Sequence, residues 1–141
     1  MGALSFKSRF VDKVEAGLRN EKGGKRQSIR NFRKRAIKVG EMIYLYYAMR
    51  TKQCRKLGEA KCISVDIIVI DEHQILIHDG WFDFENKELH WGNMKNKYST
   101  PEELQAFAQD DGFTTFSEMK MWWRATHGVD SIPYTGNLYK W

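Results

Sequence analysis

The chain has 141 residues, of which 42% are hydrophobic and 29% charged, with a formal net charge of +5. That length and apolar share fit a single folded domain over residues 1–141 and exclude a disordered chain. No apolar run reaches the length of a membrane span, and Met1-Gly2-Ala3-Leu4-Ser5-Phe6 offers neither a signal-peptide core nor a myristoylation pattern, so a cytoplasmic protein is expected.

Leu4-Ser5-Phe6 reads as a short strand. Ser8 then caps a helix with the apolar stripe Phe10, Val11, Val14 and Leu18, and Gly17 and Asn20 mark its end. Residues 20–26 form a loop rich in Lys and Gly, and residues 27–38 are basic with Ile29, Phe32, Ala36 and Ile37 as apolar anchors. Val39-Gly40-Glu41 turns into a strand over Met42–Tyr47, followed by a second basic loop over residues 48–58. One long strand is expected over Glu59–Ile70, then shorter ones over Gln74–His78, Trp81–Phe84 and Glu88–Trp91. Ser99-Thr100-Pro101-Glu102-Glu103 opens a helix to about Gln109, broken at Asp110-Asp111-Gly112-Phe113. A further helix starts at Thr114 or Thr115, and Asn137–Trp141 closes the chain as a strand. The sum is α+β, a strand-rich barrel or curled sheet with inserted helices.

Charge is segregated along the chain. Residues 19–61 carry fourteen Lys/Arg against three Glu, and residues 62–141 carry six against thirteen acids. A basic first half of this kind points to an anion-binding surface. Cys54 and Cys62 are expected as reduced thiols, with Cys62 in the core, and no Cys or His pair has zinc-site spacing. No metal site and no cofactor are expected. Trp122, Trp123 and Trp141 read as core or helix-packing residues, and His73, His78, His90 and His127 as structural. In the strand 42–47, alternation buries Tyr44 and Tyr46 and leaves Tyr47 outside.

Gly23-Gly24-Lys25-Arg26-Gln27-Ser28-Ile29-Arg30 carries the densest chemistry. Glycines let backbone approach a ligand, Lys25 and Arg30 grip an anion, and Ser28 offers a hydroxyl. A phosphate-binding P-loop fails, because Arg19 stands where its first glycine is required, and no Gly-x-Gly-x-x-Gly follows a strand.

Gly23, Lys25 and Arg30 reproduce the pattern Gly-x-Lys-x-x-x-x-Arg after a first helix. Leu4–Phe10, Lys38-Val39-Gly40-Glu41, Asp111-Gly112-Phe113 and Gly136–Trp141 fall in matching order around it. Together these stretches resemble the ASCH domains of the PUA-like barrel superfamily, and Met49–Gly58 resembles forms encoded by phages and prophages. The resemblance implies a PUA-like curled β-barrel with inserted helices and association with RNA. Residues 18–23 lengthen the loop relative to the family pattern, where the motif glycine stands at the helix end.

Some small ASCH proteins are amidohydrolases that deacetylate N4-acetylcytidine, and the resemblance places their lysine, hydroxyl and acid at Lys25, Ser28 and Asp111. In that role Ser28 attacks the acyl carbon, Lys25 serves as a base whose pKa burial and the cations Arg26 and Arg30 lower, and Asp111 orients or protonates. The leading expectation is binding of RNA or a nucleotide or nucleoside ligand by Gly23, Gly24, Arg26, Arg30, Arg33, Lys34, Arg35, Lys38, Tyr47, Arg50, Lys52, Arg55 and Lys56. Amide or phosphodiester hydrolysis at Lys25, Ser28 and Asp111 is the alternative, and a phage-encoded protein docking on a host factor is a third. A monomer or weak dimer is expected.

Overall fold

The computed structural model of the chain describes residues 2–141. In chain order these form β1 (Gly2–Phe6), α1 (Ser8–Leu18), β2 (Gln27–Arg30), β3 (Met42–Tyr47), β4 (Arg55–Lys61), β5 (Ser64–Ile70), β6 (Ile75–Asp83), β7 (Glu88–Tyr98), α2 (Pro101–Asp110), α3 (Phe116–His127) and β8 (Tyr134–Lys140). The fold is mixed α+β and mostly strand. Its strands make two sheets, β1-β3-β4 with β1 parallel to β3, and β2-β8-β5-β6-β7. The expected barrel does not close, because no strand ladder joins the two sheets among the described residues. No helix of the described residues is long and apolar enough to cross a membrane.

One hydrophobic cluster draws on both sheets and all three helices, including Leu4, Phe6, Phe10, Val14, Ile43, Leu45, Ile68, Phe107, Trp123 and Leu138. In α1 the buried positions Phe10, Val11 and Val14 follow the expected stripe. Ser8 is not its cap. Lys7 holds that position without a side-chain bond, and the helix starts on backbone alone as Phe10 N–H donates to the Lys7 carbonyl (2.9 Å). In α2 a full capping box satisfies the first turn: Thr100 accepts from the Glu103 N–H, and the Glu103 carboxylate accepts from the Thr100 N–H. Thr115 caps α3 by accepting from the Glu118 N–H (3.1 Å).

The expected long strand over Glu59–Ile70 is two strands in different sheets. The chain changes sheet at Cys62-Ile63: the ladder with β3 ends at Met42↔Lys61, and the ladder with β8 begins at Ser64↔Lys140. β4 is polar and partly exposed, whereas the apolar run in β5 is that of a strand covered on both faces. The expected strands Gln74–His78 and Trp81–Phe84 are one strand, β6, bulged between Ile77 and Gly80. Its partner β7 extends to Tyr98 through a polar stretch with no apolar alternation, held by its backbone ladder to β6. In β3 it is Ile43 and Leu45 that are buried, so Tyr44 and Tyr46 take the other, half-buried face; Tyr47 is also half-buried, past a register shift at Leu45/Tyr46.

The loop after α1 folds back onto the helix. Glu21 N–H bonds to the Ala16 carbonyl (2.9 Å), and Lys25 N–H to the Lys13 carbonyl (2.7 Å). Gly17 and Gly24 touch backbone to backbone there: a Cβ on Gly24 would lie 2.3 Å from Gly17 N, and one on Gly17 would lie 2.2 Å from the Lys25 carbonyl oxygen. Gly23 adopts φ +81 in open space. Gly24→Ala is therefore expected to lower stability by about 1–3 kcal/mol, the usual cost of forcing an extra methyl into closed packing. Urea denaturation with an unchanged m-value would measure it.

Candidate functional site

Lys25 is delivered by that loop into the interior, 4% exposed. Its Nζ donates to the Asp111 carbonyl (2.7 Å) and to Asp111 Oδ1 (3.0 Å), and lies 5.1 Å from the Phe10 ring centre. Asp111 is the C-cap of α2. A helix C-terminus already carries partial negative charge, so a carboxylate there needs a cation, and Lys25 meets the carbonyl oxygen and Oδ1 together. Lys13 Nζ donates to the neighbouring Gly112 carbonyl (2.8 Å), and Gln27 Nε2 to Asp111 Oδ1 (3.3 Å). Burial outweighs the Asp111 charge and pushes the Lys25 ammonium below its ordinary pKa, with the charges of Arg30 and Lys13 acting in the same direction. Arg26, expected to help, takes no part; it is exposed and contacts Asn20.

Ser28 and Arg30 stand two apart on β2 and therefore share a face. Antiparallel pairing with β8 fixes them opposite Tyr139 and Asn137. Arg30 Nε donates to Ser28 Oγ (2.7 Å), Arg30 Nη2 donates to the Ser5 carbonyl (2.9 Å), and the guanidinium sits 4.9 Å from the Phe6 ring centre. All of these partners are neutral. Burial, with no carboxylate in ion-pair contact among the described residues, lowers the Arg30 pKa to about 10.

Lys25, Ser28, Arg30 and Asp111 line one cavity of about 140 Å³, walled by Phe6, Phe10, Trp122 and Trp123. Phe10, Phe113 and Trp122 pack edge-on or tilted with ring centres 5.3–5.5 Å apart, a rigid aromatic side to this cavity. A second groove of about 570 Å³ adjoins it, sharing Ser5, Ile29, Arg30, Trp123 and His127, and adds Phe32, Arg33, Met49, Arg50 and Tyr134. Arg30 thus stands in the wall between the two.

The three candidate catalytic residues therefore come together, although Lys25 is held by Asp111 and makes no hydrogen bond to Ser28. Of the expected binding residues, Arg30, Arg33 and Arg50 line the groove. Lys34, Arg35, Lys38, Lys52, Arg55 and Lys56 are exposed outside both walls, as Tyr47 is outside them while half-buried. Arg55 pairs with Glu15 (3.3 Å) and Lys56 with Glu59 (3.7 Å). Gly23 and Gly24 touch neither cavity and act by placing Lys25. Cys54 and Cys62 are free, exposed and buried respectively.

Trp122 and Trp123 pack in and against the hydrophobic cluster as expected, but with His127 they also line the inner cavity, a placement that sequence reasoning did not anticipate. Trp123 and His127 lie one turn apart on α3 with their rings tilted at 51° and centres 4.8 Å apart, both line the two cavities, and the Trp123 Nε1 is buried without a partner among the described residues. Burial first, then the charges of Lys7 and Arg30, hold the His127 pKa below its usual value. Their i, i+4 spacing was the available signal, and it is the same signal a core face gives. Comparison with protein-family models, curated proteins and solved structures gives no match.

Both members of the Lys25–Asp111 pair are about 95% buried, at 4% and 5% side-chain exposure. Asp111→Ala strands a buried ammonium and should cost about 3–5 kcal/mol, whereas Lys25→Met with Asp111→Leu should recover most of that loss. Denaturant midpoints of the single and double variants check this coupling.

Proposed function

We propose that this chain is an ASCH-type, PUA-like domain that binds RNA or a modified nucleoside in the cytoplasm, with a single base entering the inner cavity. One observation carries the reading. A buried cation, Lys25, and a half-buried one, Arg30, share the cavity with a single carboxylate, Asp111, beside aromatic rings. The excess positive charge calls for an electron-rich or anionic ligand, and the rings suit a planar one. The cavity is far smaller than the roughly 300–1,000 Å³ clefts that take drug-sized molecules, so one base-sized group is what it accommodates. Binding takes precedence over catalysis because the Ser28 hydroxyl is bonded to Arg30, which cannot accept a proton, rather than to a base. Arg30→Gln should weaken binding of single-stranded RNA about tenfold, the value of one charged hydrogen bond. Wild-type affinity should fall steeply with salt. Titrations of both proteins with a labelled oligonucleotide test it; a wild type that binds neither RNA nor N4-acetylcytidine retires the reading.

Hydrolysis of a nucleoside amide is the second reading, favoured by Lys25, Ser28 and Asp111 lining one cavity. Ser28 Oγ accepts from Arg30, which leaves its own proton to be given up. In this reading that proton passes to neutral Lys25 Nζ as Oγ bonds to the acyl carbon, and Arg30 faces the resulting oxyanion. Collapse breaks the C–N bond, Lys25 returns the proton to the leaving amine, and water then cleaves the acyl-serine. Only the neutral amine of Lys25 can act as the base, so turnover of N4-acetylcytidine should rise with pH through the depressed Lys25 pKa. Ser28→Ala should abolish product while leaving ligand binding measurable; product formed undiminished by Ser28→Ala excludes this mechanism.

A further inference from the structure

The outer groove is lined by cations without acids. Arg30, Arg33 and Arg50 line it and no Asp or Glu does. Arg30 reaches only neutral acceptors. Arg33 makes one long bond, to the Ala3 carbonyl (3.4 Å), and Arg50 has no hydrogen bond or ion pair among the described residues. Arg33 repels Arg30, and the one acid charge that acts on Arg30, that of Asp111, lies in the inner cavity and makes no ion pair with it, an arrangement that an anion bound in the groove relieves.

The backbone around these arginines is fixed. Ala48 and Arg50 adopt φ +50 and +69, a conformation unfavourable for residues with side chains. That turn is held by Met49 N–H donating to Ser5 Oγ (3.1 Å), while the Ser5 carbonyl accepts from Arg30. One residue therefore sets both arginines. On the other side, Phe32 stacks on Phe82 with centres 4.5 Å apart, and Tyr134 OH donates to Asn31 Oδ1 (2.8 Å), which anchors the segment carrying Arg33.

We propose that this groove seats a phosphate of the ligand among Arg30, Arg33 and Arg50, so that the protein takes phosphorylated ligands, a nucleotide or one nucleotide within a strand, in preference to neutral nucleosides. The proposal rests on reading the inner cavity as the base site, from which Arg30 separates the groove. Planar guanidinium forks suit phosphate oxygens, which they meet by paired charge-assisted hydrogen bonds.

Three probes test the groove: inorganic phosphate, cytidine against cytidine 5′-monophosphate, and a trinucleotide. Inorganic phosphate should shift the side-chain Nε–H NMR signals of Arg30, Arg33 and Arg50, and Arg33→Gln/Arg50→Gln should remove the response. This arm does not involve a base, so it stands even if cytidine fails to bind and the base-site reading falls. The monophosphate should bind at least about tenfold more tightly than cytidine, a ratio that drops to about one in the double variant. Arg50→Gln alone, on an exposed side chain, should move the ratio in the same direction if the double variant fails to fold. Tighter binding of the trinucleotide identifies a strand as the source of the phosphate; tighter binding of the monophosphate identifies a free nucleotide. Unshifted arginine signals together with equal affinities for cytidine and its monophosphate would overturn the proposal while leaving the base site intact.

Discussion

The Lys25–Asp111 contact is the constraint on which the rest of the site depends. It joins the loop after α1 to the end of α2, segments 86 positions apart in sequence, inside the protein. A buried ion pair is a weak source of stability, since desolvation offsets much of the Coulomb attraction. Its effect here is positional. The ammonium satisfies a carbonyl and a carboxylate that both belong to a helix terminus, which ties the loop to that end of α2. That placement brings Gln27 within reach of the same carboxylate and starts β2 alongside β8. Ser28 and Arg30 then fall on one strand face beside the cation. The glycines serve this arrangement from outside: Gly17 and Gly24 permit the backbone contact without which Lys25 would not enter.

Much of the fold was legible in the sequence, and the failures share physical causes. The strand Met42–Tyr47 and the helix opened by Thr100-Pro101 carry strong local signals, and both stand where expected. The run Glu59–Ile70 carries one continuous strand signal, yet the chain changes sheet at Cys62-Ile63, which depends on partners distant in sequence. The second half of β7 has no apolar alternation because its side chains meet solvent, and its backbone pairing leaves no trace in composition. For the site, the motif residues Lys25, Ser28 and Arg30 were readable from spacing, while Asp111 was reached through resemblance alone. Trp123 and His127 were visible as a helix face but not as a cavity wall, because a helix face does not say what lies opposite it. Arg26 was placed with the site by adjacency to Lys25, and the turn into β2 sends it outward.

Charge segregation along the sequence acquires a meaning from the contacts. Acids of the second half are largely used locally or against the helices: Glu72 takes Lys120 and Arg124, Asp66 takes Lys95, and Glu118 takes Arg9. Few are left to balance the first half, where Arg55 and Lys56 find surface partners and Arg30, Arg33 and Arg50 find none among the described residues. Exposed pairs of this kind contribute little to stability. What the imbalance leaves is a groove lined by Arg30, Arg33 and Arg50 and by no Asp or Glu.

Arg30 ties the two cavities into one device. Its Nε end fixes Ser28 in the inner cavity, its Nη2 is fixed by Ser5, and Ser5 also fixes the turn that carries Arg50. A group arriving at the groove and a group arriving at Ser28 therefore meet the same guanidinium, so occupancy of one alters the field felt at the other. Held only by neutral acceptors in a half-buried setting, the cation is incompletely solvated, and any anion that reaches it gains more than it would from an exposed arginine. The same circumstance sets the order of the two functional readings. A guanidinium polarises and holds but does not carry protons at ordinary pH, whereas Lys25, the group that can, is held by Asp111. In the resting arrangement the Ser28 hydroxyl is bonded to Arg30 rather than to a base, and chemistry at Ser28 would require that arrangement to change.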